Sequence, residues 1–138
     1  MVDILTPAQR SFNMSRIKGK NTTPEITVRS LLRSLGYTYR LHVRNLPGCP
    51  DIVLSKHRAV IFVHGCFWHM HKCRFGKVTP QTNAEFWQQK RMSNVERDKR
   101  HRRTLRKKWS VLTVWECETR HENRLSNKLS TFLSALTA

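Results

Sequence analysis

The chain has 138 residues, enough for one domain with its own core, and sets 26 Lys plus Arg against 9 Asp plus Glu. The resulting +17 charge, with a pI near 10.9, repels itself unless an anion is bound, so DNA or RNA is the first partner expected and an anionic membrane surface the second. A hydrophobic content of 38% with 4 Trp excludes a disordered basic tail. No apolar run approaches the ~20 residues of a spanning helix. Met1-Val2-Asp3-Ile4 lacks the basic-then-apolar layout of a signal peptide, which predicts a cytoplasmic, reducing location. There the four cysteines are metal ligands or inert thiols rather than disulfides.

Along the chain, residues 6–20 open with Thr6-Pro7 and carry Arg10, Arg16, Lys18 and Lys20, as a short helix or N-terminal arm would. Thr22-Thr23-Pro24-Glu25 fits a capping box with proline in the first turn. Ile26, Val28, Leu31, Leu32 and Leu35 give that helix its apolar face, and Gly36 stops it. A β-rich run over 37–43 leads to a turn at Leu46-Pro47-Gly48. Two short apolar runs, 51–54 and 59–63, flank the polar turn 55–58; the second is uninterrupted, as a strand buried on both faces should be. A loop over 74–83 precedes a helix predicted from 84 to 108, with a break near Ser93-Asn94. Residues 110–115 predict a buried strand and 122–136 an amphipathic helix with Leu125, Leu129, Phe132, Leu133 and Leu136. The order α-α-β-β-β-α-β-α predicts an α/β fold: a mixed central β-sheet flanked by helices.

The densest chemistry lies in residues 64–73, HGCFWHMHKC, with three histidines, two cysteines and a Phe-Trp pair. Cys66, His71 and Cys73 are the thiol and imidazole donors that zinc prefers, and three ligands need a fourth. Cys117, at the end of the last strand, reaches them only if that strand runs parallel to 59–63, which a helical crossover permits. Such a site would be structural; buried free cysteines are the plainer alternative. Cys49 has no evident partner. Asp51, opening a strand beside the end of another, suits Mg²⁺, although Asp after Pro is also an ordinary turn residue. Glu25 is explained by its cap position. His64 and His69 remain as general acid or base candidates, with Asp98 to orient one of them; a solvated helix face explains Glu96 and Asp98 equally well.

Residues 90–108 hold ten Lys and Arg spread around the helix, of which some can reach phosphates while others solvate the back. Phe67-Trp68 and Phe86-Trp87 are candidates to wedge between base steps, with Phe86 assigned rather to the core.

The strings PGCPD (47–51), VIFVHGCFWH (60–69), NVERD (94–98) and VWEC (114–117) together strongly resemble the very-short-patch repair (Vsr) mismatch endonucleases, over about Arg10 to Cys117. That resemblance implies a divergent PD-(D/E)xK restriction-endonuclease-like fold with a structural zinc site. It implies nicking of one DNA strand 5′ to the thymine of a T·G mismatch, the product of 5-methylcytosine deamination. It further implies Mg²⁺ on Asp51 and on the carbonyl of Val63, where family members can carry Thr. The usual nuclease lysine is absent, with His64 and His69 as its substitutes, His69 paired with Asp98 for proton transfer, and Glu25 near the metal. Zn²⁺ falls to Cys66, His71, Cys73 and Cys117. Phe67, Trp68 and Trp87 match the inserted aromatics, Met14 an insertion from the opposite groove, and Lys90 and Asn94 the region that reads the mismatched pair.

The expectation is therefore a monomeric, bacterial, nucleoid-associated DNA endonuclease. Residues 1–20 would form a DNA-contacting arm and 21–138 a single nuclease domain. Contact with MutL-type repair proteins is a family-level expectation. The rivals are a non-enzymatic zinc-stabilised DNA-binding module and a restriction-type nuclease acting on matched DNA.

Overall fold

The computed structural model describes residues 22–73, 76–77 and 83–136; Met14 and the predicted arm over 1–20 lie outside them. Helix α1, Thr23–Ser34, starts where the cap residues predict. Thr22 Oγ1 accepts from the Glu25 N–H at 3.4 Å, while the Glu25 carboxylate turns inward instead of completing the box. The helix ends in a Schellman motif: Tyr37 N–H donates to Leu32 O and Gly36 N–H to Arg33 O, with Gly36 at φ +89°.

Four strands form one sheet in the order β1 (Arg40–Leu41), β2 (Ile52–Leu54), β3 (Ala59–His64) and β4 (Ser110–Trp115). The β1/β2 and β2/β3 pairs are antiparallel and β3/β4 is parallel. The parallel pair is closed by the crossover helix α2, Ala84–Leu105. The strand expected over 37–43 shrinks to two residues because His42 takes φ 48°, a left-handed conformation that breaks the pleat, and donates its N–H to Asp51 O.

β3 is buried on both faces, as its unbroken apolar run predicts. One face, with Ile52, Ala59, Ile61 and Val114, packs on Val28 and Leu32 of α1 and on Leu125, Leu129 and Leu133 of helix α3, Glu122–Leu136. The other face packs Val53, Val60 and Phe62 against Leu105.

Two expectations for α2 are corrected. It runs unbroken through Ser93-Asn94, because Asn94 is buried and spends its amide on Trp68 O rather than capping a helix end. It also stops at Leu105, where a turn through Arg106–Lys108 with Trp109 N–H on Leu105 O swings the chain into β4.

Candidate active site

The sheet brings three groups of chemistry-bearing side chains to the C-terminal end of β3. The first is a carboxylate corner. Asp51 immediately precedes β2, and antiparallel pairing sets it beside the end of β3, where its Oδ2 accepts the Val63 N–H at 2.7 Å. Glu25 of α1 is 2% exposed, and its Oε2 contacts His42 Nε2 at 2.9 Å and Arg29 Nη2 at 2.8 Å. The ligating atoms of Glu25, His42 and Asp51 lie within 4.8 Å of one another. Burial pushes the Asp51 carboxyl up to about 6; the Val63 N–H opposes this, Glu25 adds to it, and the His42 and His69 charges oppose it. A buried carboxylate that is costly to ionise, yet largely ionised near neutral pH, is a site whose charge a cation would relieve.

The second group is His64, His69 and Asp98. His69 Nδ1 lies 2.5 Å from Asp98 Oδ2. Burial alone would raise Asp98, but the His69 hydrogen bond and the charges of His69, His64 and Arg102 together hold it below the usual carboxylate range. An ionised carboxylate only accepts, so Nδ1 of His69 carries the proton and Nε2 is the ring nitrogen left over from this pair. His64 stacks on His69 with centroids 3.9 Å apart and planes at 6°. Burial, then the His69 charge, drives the His64 imidazole down to about 3, so it is a neutral platform, and its Nδ1 is buried without a hydrogen-bond partner among the described residues. A cleft of about 330 Å³ opens over His69 and Asp98, with Lys72 and Arg102 in its wall.

The third group is Cys66, His71, Cys73 and Cys117, whose ligand atoms also fall within 4.8 Å of one another. The parallel register Val63↔Val114 and His64↔Trp115 carries Cys117 to this end of the sheet. His71 stacks on Trp115 at 4.2 Å, and its Nδ1 lies 3.6 Å from Cys117 Sγ. Glu116 accepts the Cys66 N–H. Burial pushes the Cys66 thiol up to about 12 and raises Cys117 as well, a cost that a thiolate-binding cation reverses. The donor set is that of a tetrahedral Cys₃His site.

Beside these groups lies an aromatic cluster. Phe67 and Trp68 are half-buried, 5.2 Å apart, and Trp68 meets Trp87 at 5.5 Å. Lys90 Nζ sits over the Trp68 and Trp87 rings at 5.7 and 6.0 Å. The expectation for Phe86 is overturned: it is 58% exposed whereas Trp87 is 8% exposed. One residue is a turn of about 100° on a helix, and Trp87 falls on the stripe with Arg91, Asn94 and Asp98 that faces the 64–73 segment.

A family profile described as "DNA mismatch endonuclease Vsr" matches residues 2–75. The chain is 45% identical over 134 residues to the type II nicking enzyme V.XorIIP of Xanthomonas oryzae pv. oryzae, covering 96% of this chain and 98% of that one. It is 44% identical over 132 residues to the DNA mismatch endonuclease Vsr of Escherichia coli, covering 95% and 84%. A third relative, the type II nicking enzyme V.NmeAIP of Neisseria meningitidis, is 44% identical over 123 residues, covering 88% and 87%. The chain belongs to the Vsr family. It is a DNA endonuclease, and DNA is its substrate.

Within this Vsr chain, two site residues escaped sequence reasoning. His42 hides in a β-rich run, and only its left-handed turn delivers it to Glu25. Arg91 looks like one more phosphate contact in a basic stretch, yet it is 1% exposed, with Nε on Phe67 O at 2.7 Å and Nη2 on Gly76 O. Asn94 is 9% exposed and occupied by Trp68 O and Arg97, so its amide braces the segment in this conformation. Cys49 is exposed and is not a member of the Cys/His cluster.

Proposed function

We propose that this Vsr protein is a Mg²⁺-dependent mismatch endonuclease that nicks one strand 5′ to the thymine of a T·G pair, on a divergent PD-(D/E)xK-like fold. The observation that carries the reading is the meeting of two unlike groups. Asp51 accepts the Val63 N–H at the end of β3, and the next residue, His64, stacks on His69, which is itself oriented by Asp98.

Asp51 and the Val63 carbonyl would hold Mg²⁺, with Glu25 near it; the donors are oxygens in a buried site, as that ion requires. When bound, Mg²⁺ polarises the scissile phosphate and lowers the pKa of an attached water. His69, its Nδ1 committed to Asp98, exchanges a proton at Nε2 as water attacks phosphorus in line and the bond to the 3′ oxygen breaks. The stacked, neutral His64 keeps the His69 ring in plane.

Zn²⁺ on Cys66, His71, Cys73 and Cys117 would fix the loop that carries the wedge. Phe67 and Trp68 would enter the base stack, where a mispaired step yields more readily than a matched one, with Trp87 behind them and Lys90 at the edge. Retention of four reduced thiols is consistent with a cytoplasmic setting.

The test is an end-labelled duplex carrying T·G or T·A, with and without Mg²⁺. One nick on the thymine strand of T·G alone, only with Mg²⁺, is the expected result. Equal cutting of T·A would favour a nuclease for matched DNA.

A further inference from the structure

Helix α2 turns one stripe toward the 64–73 segment, and the stripe meets that segment in order. Arg91 donates from Nε to Phe67 O at 2.7 Å and from Nη2 to Gly76 O, with its guanidinium 4.3 Å from the Phe67 ring centroid. Three residues on, Asn94 Nδ2 donates to Trp68 O at 3.0 Å. Four further on, Asp98 Oδ2 accepts from His69 Nδ1 at 2.5 Å. Residues three and four apart share a helix face, so positions 91, 94 and 98 hold 67, 68 and 69 one for one. The first two grip the main chain of the wedge, and the third grips the imidazole.

We propose that Arg91 is a positioning residue: it ties the wedge to the helix that carries Asp98, so that seating the wedge in DNA and aligning His69 at the scissile phosphate become one rigid-body event. The inference rests on the mismatch-nicking function proposed above.

Arginine is an expensive choice for this place. At 1% exposure it cannot reach a phosphate, and an apolar side chain of similar length would fill the space without desolvating a charge. Its use lies in the fork. A planar guanidinium spans two carbonyls at fixed angles, which the single ammonium of lysine does not. The second carbonyl belongs to Gly76, whose N–H returns to Cys73 O and whose main chain lies too close to that of His71 to admit a β-carbon. One guanidinium therefore ties Phe67 of the wedge and Gly76 together.

The test compares wild type, Arg91→Met and Arg91→Lys on a T·G duplex with 2-aminopurine beside the mismatch. Single-turnover nicking reads His69 alignment; fluorescence of the unstacked base in Mg²⁺-free buffer reads wedge seating. Arg91→Met is expected to slow nicking roughly 10- to 100-fold, the scale of a misplaced reacting group. It should weaken the fluorescence rise in step while binding matched DNA as wild type does. Arg91→Lys should fall between the two in both readouts. Wild-type values in both readouts for Arg91→Met overturn the inference, as does loss of one readout without the other. If Arg91→Met does not fold, Arg91→Lys decides: a parallel partial loss supports the tie, and wild-type behaviour refutes it. A wild-type protein that neither opens nor nicks T·G would instead sink the mismatch function itself.

Discussion

Asp51 and His69, the two halves of the proposed site, are fixed by different physics. The Asp51 corner is made by the sheet: antiparallel pairing delivers Asp51 to the Val63 N–H, and the His42 main chain closes on Asp51 O. Glu25 stands on α1 and Asp51 beside β2, two elements packed into the same apolar core. Among the described residues the segment around His69 has no strand partner beyond His64; its own turns and the side chains of the α2 stripe on one flank and the Cys/His cluster on the other hold it. A core-built corner tolerates loss of a polar contact because packing remains. A segment held by side chains fails one tie at a time. Substitutions in the corner should therefore alter chemistry with the fold intact, while those in the segment should alter geometry first.

The sharpest separation comes from Asp51→Asn, which keeps shape and removes the charge that would hold the cation. Nicking should fall about a thousandfold, the rate equivalent of losing ~4 kcal/mol of charge stabilisation, with T·G binding retained. Because Asp51 is held near 6 by burial, the folded state loses stability on this group as pH rises through that value. The Asn variant should thus melt higher than wild type at pH 8 in Mg²⁺-free buffer. A lower melting point would break the view of Asp51 as a strained, core-supported carboxylate. Asp98→Asn is the matching change in the segment. It should reduce nicking by about a hundredfold by losing the charge that orients His69; an unchanged rate would remove Asp98 from the proton path.

How much of this was legible in the sequence follows the same division. The unbroken apolar run of β3, the cap and stop of α1 and the parallel pairing needed by Cys117 all depend on local pattern or one topological rule, and the structure has them. The stripe on α2 was not legible. Its buried members Trp87, Arg91 and Asn94 include two polar residues in a run of cations, so hydrophobic periodicity is silent there. The assignment of Phe86 to the core fails for the same reason, since one position of helical phase decides whether it or Trp87 is covered. His42 needed a long-range fact, the close pass of the chain at Asp51.

On the cluster side, Cys117→Ser should lower bound zinc and melting temperature together, because metal binding and the folding of such a loop are one equilibrium. The 2-aminopurine signal should fall with them while Asp51-dependent cation binding persists. Full zinc content in that variant would refute a four-ligand site.

The smallest effect is also the one that sets the two regions directly against each other. His64 ends β3 and carries the stack on which His69 of the segment rests; it is held at about 3, below its unfolded value of 6.5, so its stabilising contribution is present above 6.5 and is lost as pH falls toward 3. Asp51 belongs to the corner and is held at about 6, above 3.8, so its contribution is present below 3.8 and is lost as pH rises through 6. Between about pH 4 and 6 the two slopes oppose, each at most ~1.4 kcal/mol per pH unit, and the wild-type melting temperature should be nearly flat in Mg²⁺-free buffer. Asp51→Asn should leave the His64 slope alone, so that variant melts progressively lower on acidification. His64→Asn should leave the Asp51 slope, so it melts progressively higher. Two variants tilting the same way would mean that corner and segment do not titrate as separate parts, and that the division between core-built and side-chain-built halves of the site is wrong.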